Sequence, residues 1–326
     1  MSLQLTIIEK RWALNKPFQI SREVTTHAET VICEITDGQF TGRGEAAGVS
    51  YDDETVVSII DQVESVANII EGGITRDNLQ DILPPGGARN SIDCALWDLE
   101  AKRSGKTVWQ MLGWDPRPMT TVYTVGIATP DVMEADASAH SDYPFIKVKV
   151  GLGDPLEQIR AVNAGAPNSA IIIDANQAWT VADLQRYAAP LKEMGVEMIE
   201  QPLERGNDES LRDFCSPLPL CADESCATSA DLESLKGLYT MVNIKLDKTG
   251  GLTEGLKLAE QAVEMGFELM VGNMLGSSLA MAPSFVIAQK CRYVDIDGPL
   301  LQAEDCAHAM EYESGRVSVF LPDLWG

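Results

Sequence analysis

Segment 145–151 (FIKVKVG) places Lys147 and Lys149 at alternate positions of an otherwise apolar, largely β-branched run. Alternate residues of a β-strand point to the same face, so the two ammonium groups share one face of a predicted strand. A buried lysine needs a compensating charge, because an unpaired ammonium is costly to remove from water. Two explanations are open: an exposed edge strand, or a buried strand whose lysines face carboxylates from elsewhere in the chain.

Bulk properties exclude several classes of protein. The chain has 326 residues, 45% of them hydrophobic, which is enough for one large folded domain or two ordinary ones. No apolar run approaches the roughly eighteen residues of a membrane-spanning helix, and the N-terminus lacks a signal peptide. The seven cysteines contain no CxxC pair, so we expect a reduced, cytoplasmic protein. A net charge of −24 argues against nucleic acid or a membrane as a partner.

The N-terminal third reads as strands followed by helices. Predicted strands at 3–12, 29–36 and 39–47 surround the turn dipeptide Asp37-Gly38. Helical spacing of apolar residues then predicts one helix over 54–71 and a second over about 88–104. This order is typical of an α+β unit, which we predict as a domain over residues 1–116. The C-terminal segment, 303–326, is expected to pack back on it.

From residue 117 to residue 302 short apolar strands alternate with amphipathic helices. The predicted strands are 121–126, 145–150, 170–174, 197–201, 220–223, 241–245, 268–272 and 293–295. This alternation predicts a (β/α)8-type barrel, with an open doubly wound sheet as the alternative. The barrel is favoured because polar residues recur at the same end of successive strands.

Three of those strand ends carry carboxylates: Asp174, Glu200 and Asp223, each about one βα unit from the next. One such residue could cap a helix, but three in phase on neighbouring strands would repel each other strongly if buried. A divalent cation is the simplest compensation. Since no cysteine or histidine accompanies the carboxylates, the ligand set favours Mg²⁺, with Mn²⁺ as a substitute.

Lys149 and Lys245 end the second and sixth predicted strands, which lie opposite each other in an eight-stranded ring. This placement suits removal of a proton from one face of a carbon and its return on the other face. If that carbon is α to a carboxylate, a cation that binds the carboxylate stabilises the enediolate. A lysine base needs a lowered pKa, and we expect the cation and the neighbouring Lys147 to lower that of Lys149.

Asp295 and Asp297 repeat the alternate spacing with the opposite charge at the eighth strand. The pair would suit a substrate ammonium, but it could equally form a turn before Gly298, and the residues alone leave both explanations open. Thr124 and Asn176 also lie near the predicted barrel mouth. Each could bind substrate or be an ordinary structural polar residue.

Five barrel motifs in this order resemble the enolase superfamily, in its muconate-lactonizing subgroup. They are KVK at 147–149, DAN at 174–176, EQP at 200–202, DES at 223–225 and KLDKTGG at 245–251. Segment 88–102 (ARNSIDCALWDLEAK) is similar to the family's capping-domain helix, so the resemblance covers essentially the whole chain. It implies a modified TIM barrel with an N-terminal capping domain. It also implies that Mg²⁺ is bound by Asp174, Glu200 and Asp223, that Lys149 and Lys245 are the acid/bases, and that Lys147 supports Lys149.

Within the subgroup, segments 243–254 and 295–299 resemble the dipeptide epimerases of the L-Ala-D/L-Glu epimerase type. The resemblance implies a dipeptide that is epimerised at the α-carbon of its C-terminal residue, with its ammonium bound by Asp295 and Asp297. Arg22 matches the loop that meets the second side chain, where it would pair with a glutamate carboxylate. The superfamily often forms oligomers, so a homo-oligomer is expected.

Other functions on the same scaffold stay open at this point. An N-acylamino acid racemase would use both lysines but would bind no free ammonium. A muconate cycloisomerase or an o-succinylbenzoate synthase-type lyase would have little need for the Asp295 and Asp297 pair. A barrel that binds ligands without catalysis is disfavoured by the intact set of three carboxylates and two lysines.

Overall fold

The computed structural model describes residues 3–21 and 23–326. The described chain begins with an antiparallel sheet of order β1-β2-β3, and helices α1 to α5 follow it. The strands are β1 (Gln4–Gln19), β2 (Val24–Thr36) and β3 (Thr41–Ala47), and the helices are α1 (Val56–Ser65), α2 (Ala67–Glu71), α3 (Arg76–Ile82), α4 (Gly87–Ser104) and α5 (Val108–Leu112).

The predicted single helix over 54–71 is wrong, because the chain leaves helical geometry at Val66. Val66 has φ −111° and ψ 5°, and its side chain is buried in the core of the N-terminal part. The backbone N–H of Val66 donates to the carbonyl oxygen of Val63, three residues back, at 3.2 Å. The helical region therefore divides into α1 and α2 at a residue whose side chain stays in the core.

Helix α4 lies directly on strand β3 because two glycines of that strand have no side chain. A Cβ atom on Gly42 would lie 2.7 Å from the Cβ atom of Leu99. One on Gly44 would lie 2.7 Å from the backbone nitrogen of Ala95. Almost every residue of α4 is buried, since the sheet covers one side and the barrel covers the other.

The second part of the chain is an eight-stranded parallel sheet with its strands in sequence order. The short strand β4 (Met119–Thr120) precedes it. The sheet strands are β5 (Tyr123–Val125), β6 (Phe145–Lys149), β7 (Ala170–Asp174), β8 (Val196–Glu200), β9 (Leu220–Ala222), β10 (Met241–Ile244), β11 (Glu268–Val271) and β12 (Tyr293–Val294).

The ends of this sheet meet. The backbone N–H of Val122 donates to the carbonyl oxygen of Val294 at 2.8 Å, which brings the first and last strands together. The predicted (β/α)8-type barrel is confirmed. Strand β6, which carries Lys147 and Lys149, is paired with β5 and β7 on both sides. The edge-strand explanation for these lysines is therefore wrong.

Helices connect most of the barrel strands. They are α6 (Pro130–Ala139), α7 (Pro155–Gly165), α8 (Val181–Glu193), α9 (Leu232–Leu235), α10 (Leu246–Thr249), α11 (Leu252–Glu264), α12 (Ser278–Ala288) and α13 (Gly298–Leu301). Between β8 and β9 a 3₁₀ turn at Asp208–Leu211 replaces a full helix, and α9 is a single turn. These two connections depart from the regular alternation that the sequence predicts.

The C-terminal residues contact the N-terminal part. Strands β13 (Tyr312–Glu313) and β14 (Arg316–Val317) pair with each other, and β14 also pairs with β4. The buried Trp325 donates its indole N–H to the carbonyl oxygen of Cys94 in α4 at 3.0 Å. The domain boundaries at 1–116, 117–302 and 303–326 stay a prediction. No helix in residues 3–21 or 23–326 is long and apolar enough to cross a membrane.

The packing of α4 on β3 yields a stability prediction. Replacing Gly44 with alanine should lower the free energy of unfolding by roughly 1–3 kcal/mol, because the new methyl group meets helix backbone that cannot move aside. Urea denaturation measures this change. The control is Gly72→Ala, an exposed site with φ −69°, which should change stability by no more than about 0.5 kcal/mol. Equal effects for both variants would contradict the packing explanation.

Candidate active site

The three predicted metal ligands lie side by side at the carboxyl ends of their strands. Asp174 and Glu200 are the last residues of β7 and β8 and are paired in register, and Asp223 follows β9. Each side chain is buried after an apolar run, and one oxygen of each lies within 4.8 Å of the others. A cluster of carboxylate oxygens alone fits a hard divalent cation.

The charges in this cluster are incompletely balanced. Burial, together with the charge of Asp174, raises the pKa of Glu200 to about 7. Burial also opposes ionisation of Asp174, yet the ammonium groups of Lys149 and Lys147 outweigh it and lower its pKa to about 2. A carboxylate that resists ionisation beside two that are ionised marks a place where added positive charge is stabilising. The residues present therefore fit a metal ion.

Lys147 lies among carboxylates, with only 1% of its surface exposed. Its Nζ atom is 2.6 Å from Oε2 of Glu200, 2.8 Å from Oδ2 of Asp295 and 3.2 Å from Oδ2 of Asp174. Burial opposes the charge, but these carboxylates outweigh it and raise the pKa of Lys147 well above its ordinary value. Lys147 thus joins the carboxylate cluster to Asp295, which follows strand β12, and its protonated form is favoured.

Lys149 and Lys245 stand on opposite walls of one cavity. Their strands, β6 and β10, are four positions apart in the ring of eight. The Nζ atom of Lys149 is 2.7 Å from Oδ2 of Asp174, and that of Lys245 is 2.6 Å from Oδ2 of Asp223. Both lysines line a cavity of about 480 Å³. The carboxylate cluster therefore lies between two lysines, as the strand order predicts.

The pKa of Lys245 is raised in this arrangement. Burial opposes its charge, but the facing carboxylates of Asp223 and Glu200 outweigh burial. The protonated form of Lys245 is therefore strongly favoured while Asp223 faces it.

Asp295 and Asp297 both line the same cavity. The backbone N–H of Thr124 donates to Oδ2 of Asp297 at 2.7 Å, so the carboxylate faces β5 and does not cap α13. Burial and the charge of Asp295 raise the pKa of Asp297 to about 7. Burial opposes ionisation of Asp295 as well, but Lys147 outweighs it and lowers the pKa of Asp295. A cation bound beside Asp297 would favour its ionised form.

The remaining predicted substrate contacts fall at the cavity, with one exception. Thr124 and Asn176 both line it, and Oδ1 of Asn176 is buried without a hydrogen-bond partner in the described chain. Arg22 lies outside the described residues, although Ile20 and Glu23 on either side of it line the cavity. Loop 48–56 of the N-terminal part forms a further section of the wall.

Three polar residues that support the site were given no role by sequence reasoning. Lys248 places its Nζ atom 2.7 Å from Oδ1 of Asp223, and Asn243 donates to Oε1 of Glu200 at 2.6 Å. Asn273 donates to the backbone oxygen of Asp295 at 2.7 Å. Asn243 and Lys248 fall within the motif at 243–254, which was the available signal. No sequence pattern marks Asn273, which follows β11 in a loop.

A closed barrel with carboxylates and two lysines at its mouth, walled by an N-terminal unit, defines an acid–base enzyme of the enolase type. The model of the mandelate racemase/muconate lactonizing enzyme N-terminal domain matches residues 2–113, and the enolase C-terminal domain-like model matches residues 132–326. The chain belongs to the mandelate racemase/muconate lactonizing enzyme family of the enolase superfamily.

Two relatives of known activity are similar over nearly their whole length. The chain is 42% identical to an N-acetyl-D-glutamate racemase from Pseudoalteromonas, over 91% of this chain and 95% of that protein. It is 40% identical to the L-Ala-D/L-Glu epimerase of Escherichia coli, over 95% of this chain and 98% of that protein. The predictions of the superfamily and of an isomerase of the racemase and epimerase class are confirmed.

Solved structures agree with this assignment. An enolase family member from Agrobacterium tumefaciens, with homology to dipeptide epimerases and with bound sodium and L-Ala-L-Glu, is 43% identical with a TM-score of 0.97. The comparison covers 99% of this chain and 100% of that one. A dipeptide epimerase from Cytophaga hutchinsonii, complexed with Mg and D-Ala-L-Val, is 28% identical with a TM-score of 0.90, over 98% and 94% of the two chains.

The buried charge network yields a prediction about Lys147. Replacing it with methionine should lower the free energy of unfolding in EDTA by roughly 3–5 kcal/mol, because it leaves carboxylates buried without their cation. Excess MgCl₂ should recover part of that loss, which urea denaturation with and without the metal measures. Lys257→Met, at an exposed lysine of α11, is the control and should change stability by less than about 1 kcal/mol. A loss that Mg²⁺ does not reduce would argue against a cation site at this cluster.

Proposed function

We propose that this protein epimerises a dipeptide, preferably L-Ala-D/L-Glu, at the α-carbon of its C-terminal residue. One observation carries the proposal: Lys149 and Lys245 are buried on opposite walls of one cavity, with a carboxylate cluster between them. Two lysines so placed reach opposite faces of one carbon. That arrangement serves a 1,1-proton transfer, in which one lysine removes the α-proton and the other returns a proton from the opposite side.

The proposed cofactor is Mg²⁺, held by Asp174, Glu200 and Asp223, and Mn²⁺ could substitute for it. When bound, the ion supplies positive charge beside the substrate carboxylate, whose negative charge grows as the α-carbon loses its proton. The protein's part is to hold the α-carbon between the two lysines, away from bulk water. Positioned oxygens and ammonium groups around the cavity limit the reorganisation that the reaction requires.

The two lysines must begin each turnover in different protonation states. Asp223 pairs with Lys245 and favours its protonated form. Lys245 can accept a proton only when Asp223 is paired with another positive charge. Lys248 already contacts the second oxygen of Asp223, which supplies part of that charge.

We assign the rest of the dipeptide to the part of the same cavity that Asp295 and Asp297 line. Asp295 and Asp297 are the proposed site for the N-terminal ammonium, and Thr124 holds Asp297 in place through its backbone N–H. The L-Ala-L-Glu bound in the Agrobacterium structure supports glutamate as the second residue. The pairing of that glutamate with Arg22, the contact of Asn176 with substrate, a cytoplasmic location and a homo-oligomer stay predictions.

A second candidate is an N-acetylglutamate racemase, favoured by the 42% identity to such an enzyme. Its chemistry uses the same two lysines, but its substrate carries no ammonium. The buried pair Asp295 and Asp297 therefore distinguishes the candidates, because two adjacent carboxylates suit an ammonium and disfavour an uncharged amide. A cycloisomerase or a lyase would leave the Asp295 and Asp297 pair without a role. A non-catalytic barrel would leave the two opposed lysines without one.

The two-lysine mechanism predicts face-selective effects. The wild type with MgCl₂ in D₂O should exchange the α-proton of the glutamate residue in both L-Ala-L-Glu and L-Ala-D-Glu. Lys149→Met and Lys245→Met should each lower epimerisation by about 10²–10⁴-fold. Each variant should still exchange the diastereomer that faces its remaining lysine. NMR of the α-proton signal and mass spectrometry measure both rates.

EDTA should abolish exchange, and Lys257→Met, which changes an exposed lysine that does not line the cavity, should leave the exchange rate unaltered. Absence of exchange across a panel of dipeptides at saturating MgCl₂ would reject the epimerase. Full activity after chelation would reject the metal assignment.

The ammonium site predicts a substrate-dependent loss in Asp297→Asn. The variant should lower kcat/KM for L-Ala-L-Glu by about 10–100-fold, because a charge-assisted hydrogen bond is lost, and should affect N-acetylglutamate much less. Steady-state kinetics with both substrates measures the difference. Equal losses would argue against an ammonium role. A wild type that prefers N-acetylglutamate would establish the second candidate instead.

A further inference from the structure

The helix motif at 88–102 is unexplained by the site as described so far. It belongs to α4, and no residue of α4 lines the cavity. Arg89, Asp93 and Trp97, spaced four residues apart, nevertheless share one face of the helix. That face, together with Asn90, contacts the barrel segment 247–253.

The contact between α4 and this segment is polar and close. Arg89 donates from Nη2 to the carbonyl oxygen of Thr249 at 2.6 Å and from Nε to that of Gly250 at 3.1 Å. Asp93 accepts from the backbone N–H of Thr253 at 2.9 Å. Gly250 has a φ of +70°, and a Cβ atom there would lie 2.9 Å from Nη2 of Arg89. The Arg89 side chain therefore leaves no room for a side chain on residue 250.

Asp247 is the member of this contact that lies nearest to Lys245 in the sequence. It is buried, and its Oδ1 atom accepts from Nδ2 of Asn90 at 3.0 Å and from the backbone N–H of Ala47 at 3.0 Å. Ala47 ends β3 and leads into the loop that forms part of the cavity wall. One carboxylate thus joins helix α4, that loop and the turn that follows Lys245.

The turn transmits its position to Lys245 directly. Helix α10 begins at the next residue, and the carbonyl oxygen of Lys245 accepts from the backbone N–H groups of Lys248 and Thr249, both at 3.0 Å. On its inner side the turn is fixed by Lys248, which contacts Asp223. Lys149, four strands away at the end of β6, is held by Asp174 instead.

We propose that Asp247 is a positioning residue for Lys245: with Asn90 and the Ala47 amide, it fixes the α10 turn so that this lysine reaches its own face of the substrate α-carbon. The proposal rests on the two-lysine function proposed above. It predicts an asymmetric defect, because loosening the turn displaces one lysine and leaves Lys149 in place. A displacement of about 1 Å costs up to 10²-fold in rate.

The test compares Asp247→Ala with Asp247→Asn, which retains an acceptor oxygen. Exchange from L-Ala-L-Glu and from L-Ala-D-Glu is measured separately in D₂O at saturating MgCl₂, and Lys245→Met identifies the diastereomer that faces Lys245. Asp247→Ala should slow exchange of that diastereomer by about tenfold or more and leave the other within about twofold. Asp247→Asn should restore most of the lost rate. Equal losses for both diastereomers would overturn the proposal.

A matched control lies in the same helix. Ser91 is buried in α4, but its hydroxyl donates to the carbonyl oxygen of Ala88 and contacts Cys33 in the N-terminal sheet. Ser91→Ala should therefore leave the ratio of the two exchange rates unchanged. A shift of that ratio equal to the shift in Asp247→Ala would show that general loosening of α4 is responsible, and would also overturn the proposal.

A second measurement does not depend on catalysis. Backbone hydrogen–deuterium exchange, followed by mass spectrometry of the whole chain, should be faster over 245–253 in Asp247→Ala and unchanged over 145–151. If backbone hydrogen exchange over 245–253 is the same in Asp247→Ala as in the wild type, the anchoring role is overturned, whatever the substrate is. If the wild type exchanges neither dipeptide, the proposed function fails, and the exchange of backbone hydrogens still decides whether Asp247 holds the turn.

Discussion

The stability of the barrel mouth depends on pairing between its buried positive and negative side chains. A lone ammonium or carboxylate at this depth would cost several kcal/mol, and ion pairing offsets that cost only with close geometry. Lys147 meets this condition by contacting carboxylates of β7, β8 and the residue that follows β12 at once. The apolar strands can therefore close around a charged interior. The remaining imbalance, expressed in the raised pKa of Glu200, is the property that suits the site to a metal ion.

The same network determines what each lysine can do. Lys147 is surrounded by carboxylates and serves as a fixed cation, whereas Lys149 and Lys245 each form one close ion pair and line the cavity. The position of Lys245 depends on the N-terminal part as well as the barrel, because the turn that follows this lysine is hydrogen-bonded to α4. The N-terminal unit thus forms a wall of the cavity and also supports the barrel's own chemistry.

Much of the fold and of the site was predictable because its signals are local. The strand pattern and the carboxylates at strand ends follow from backbone periodicity, and the predicted strands overlap all eight barrel strands. The break at Val66 and the contacts of Asn273 were not predictable, since no sequence pattern marks either position. Nor did the sequence predict that Asp223 faces Lys245 directly and raises its pKa.

The sequence by itself determined that Lys147 and Lys149 share one face of β6. It also determined that Asp174, Glu200 and Asp223 fall at the same end of successive strands, since their spacing matches the βα repeat. Those relations are fixed by the geometry of single strands and by the repeat of the unit. Only the tertiary structure decided which charges meet. Pairing between Lys147 and Asp295, 148 residues apart, exists because the sheet closes on itself and brings its last strands back toward β6. Closure is a property of the whole ring, so the strand pattern predicts a barrel but does not specify which charges meet inside it.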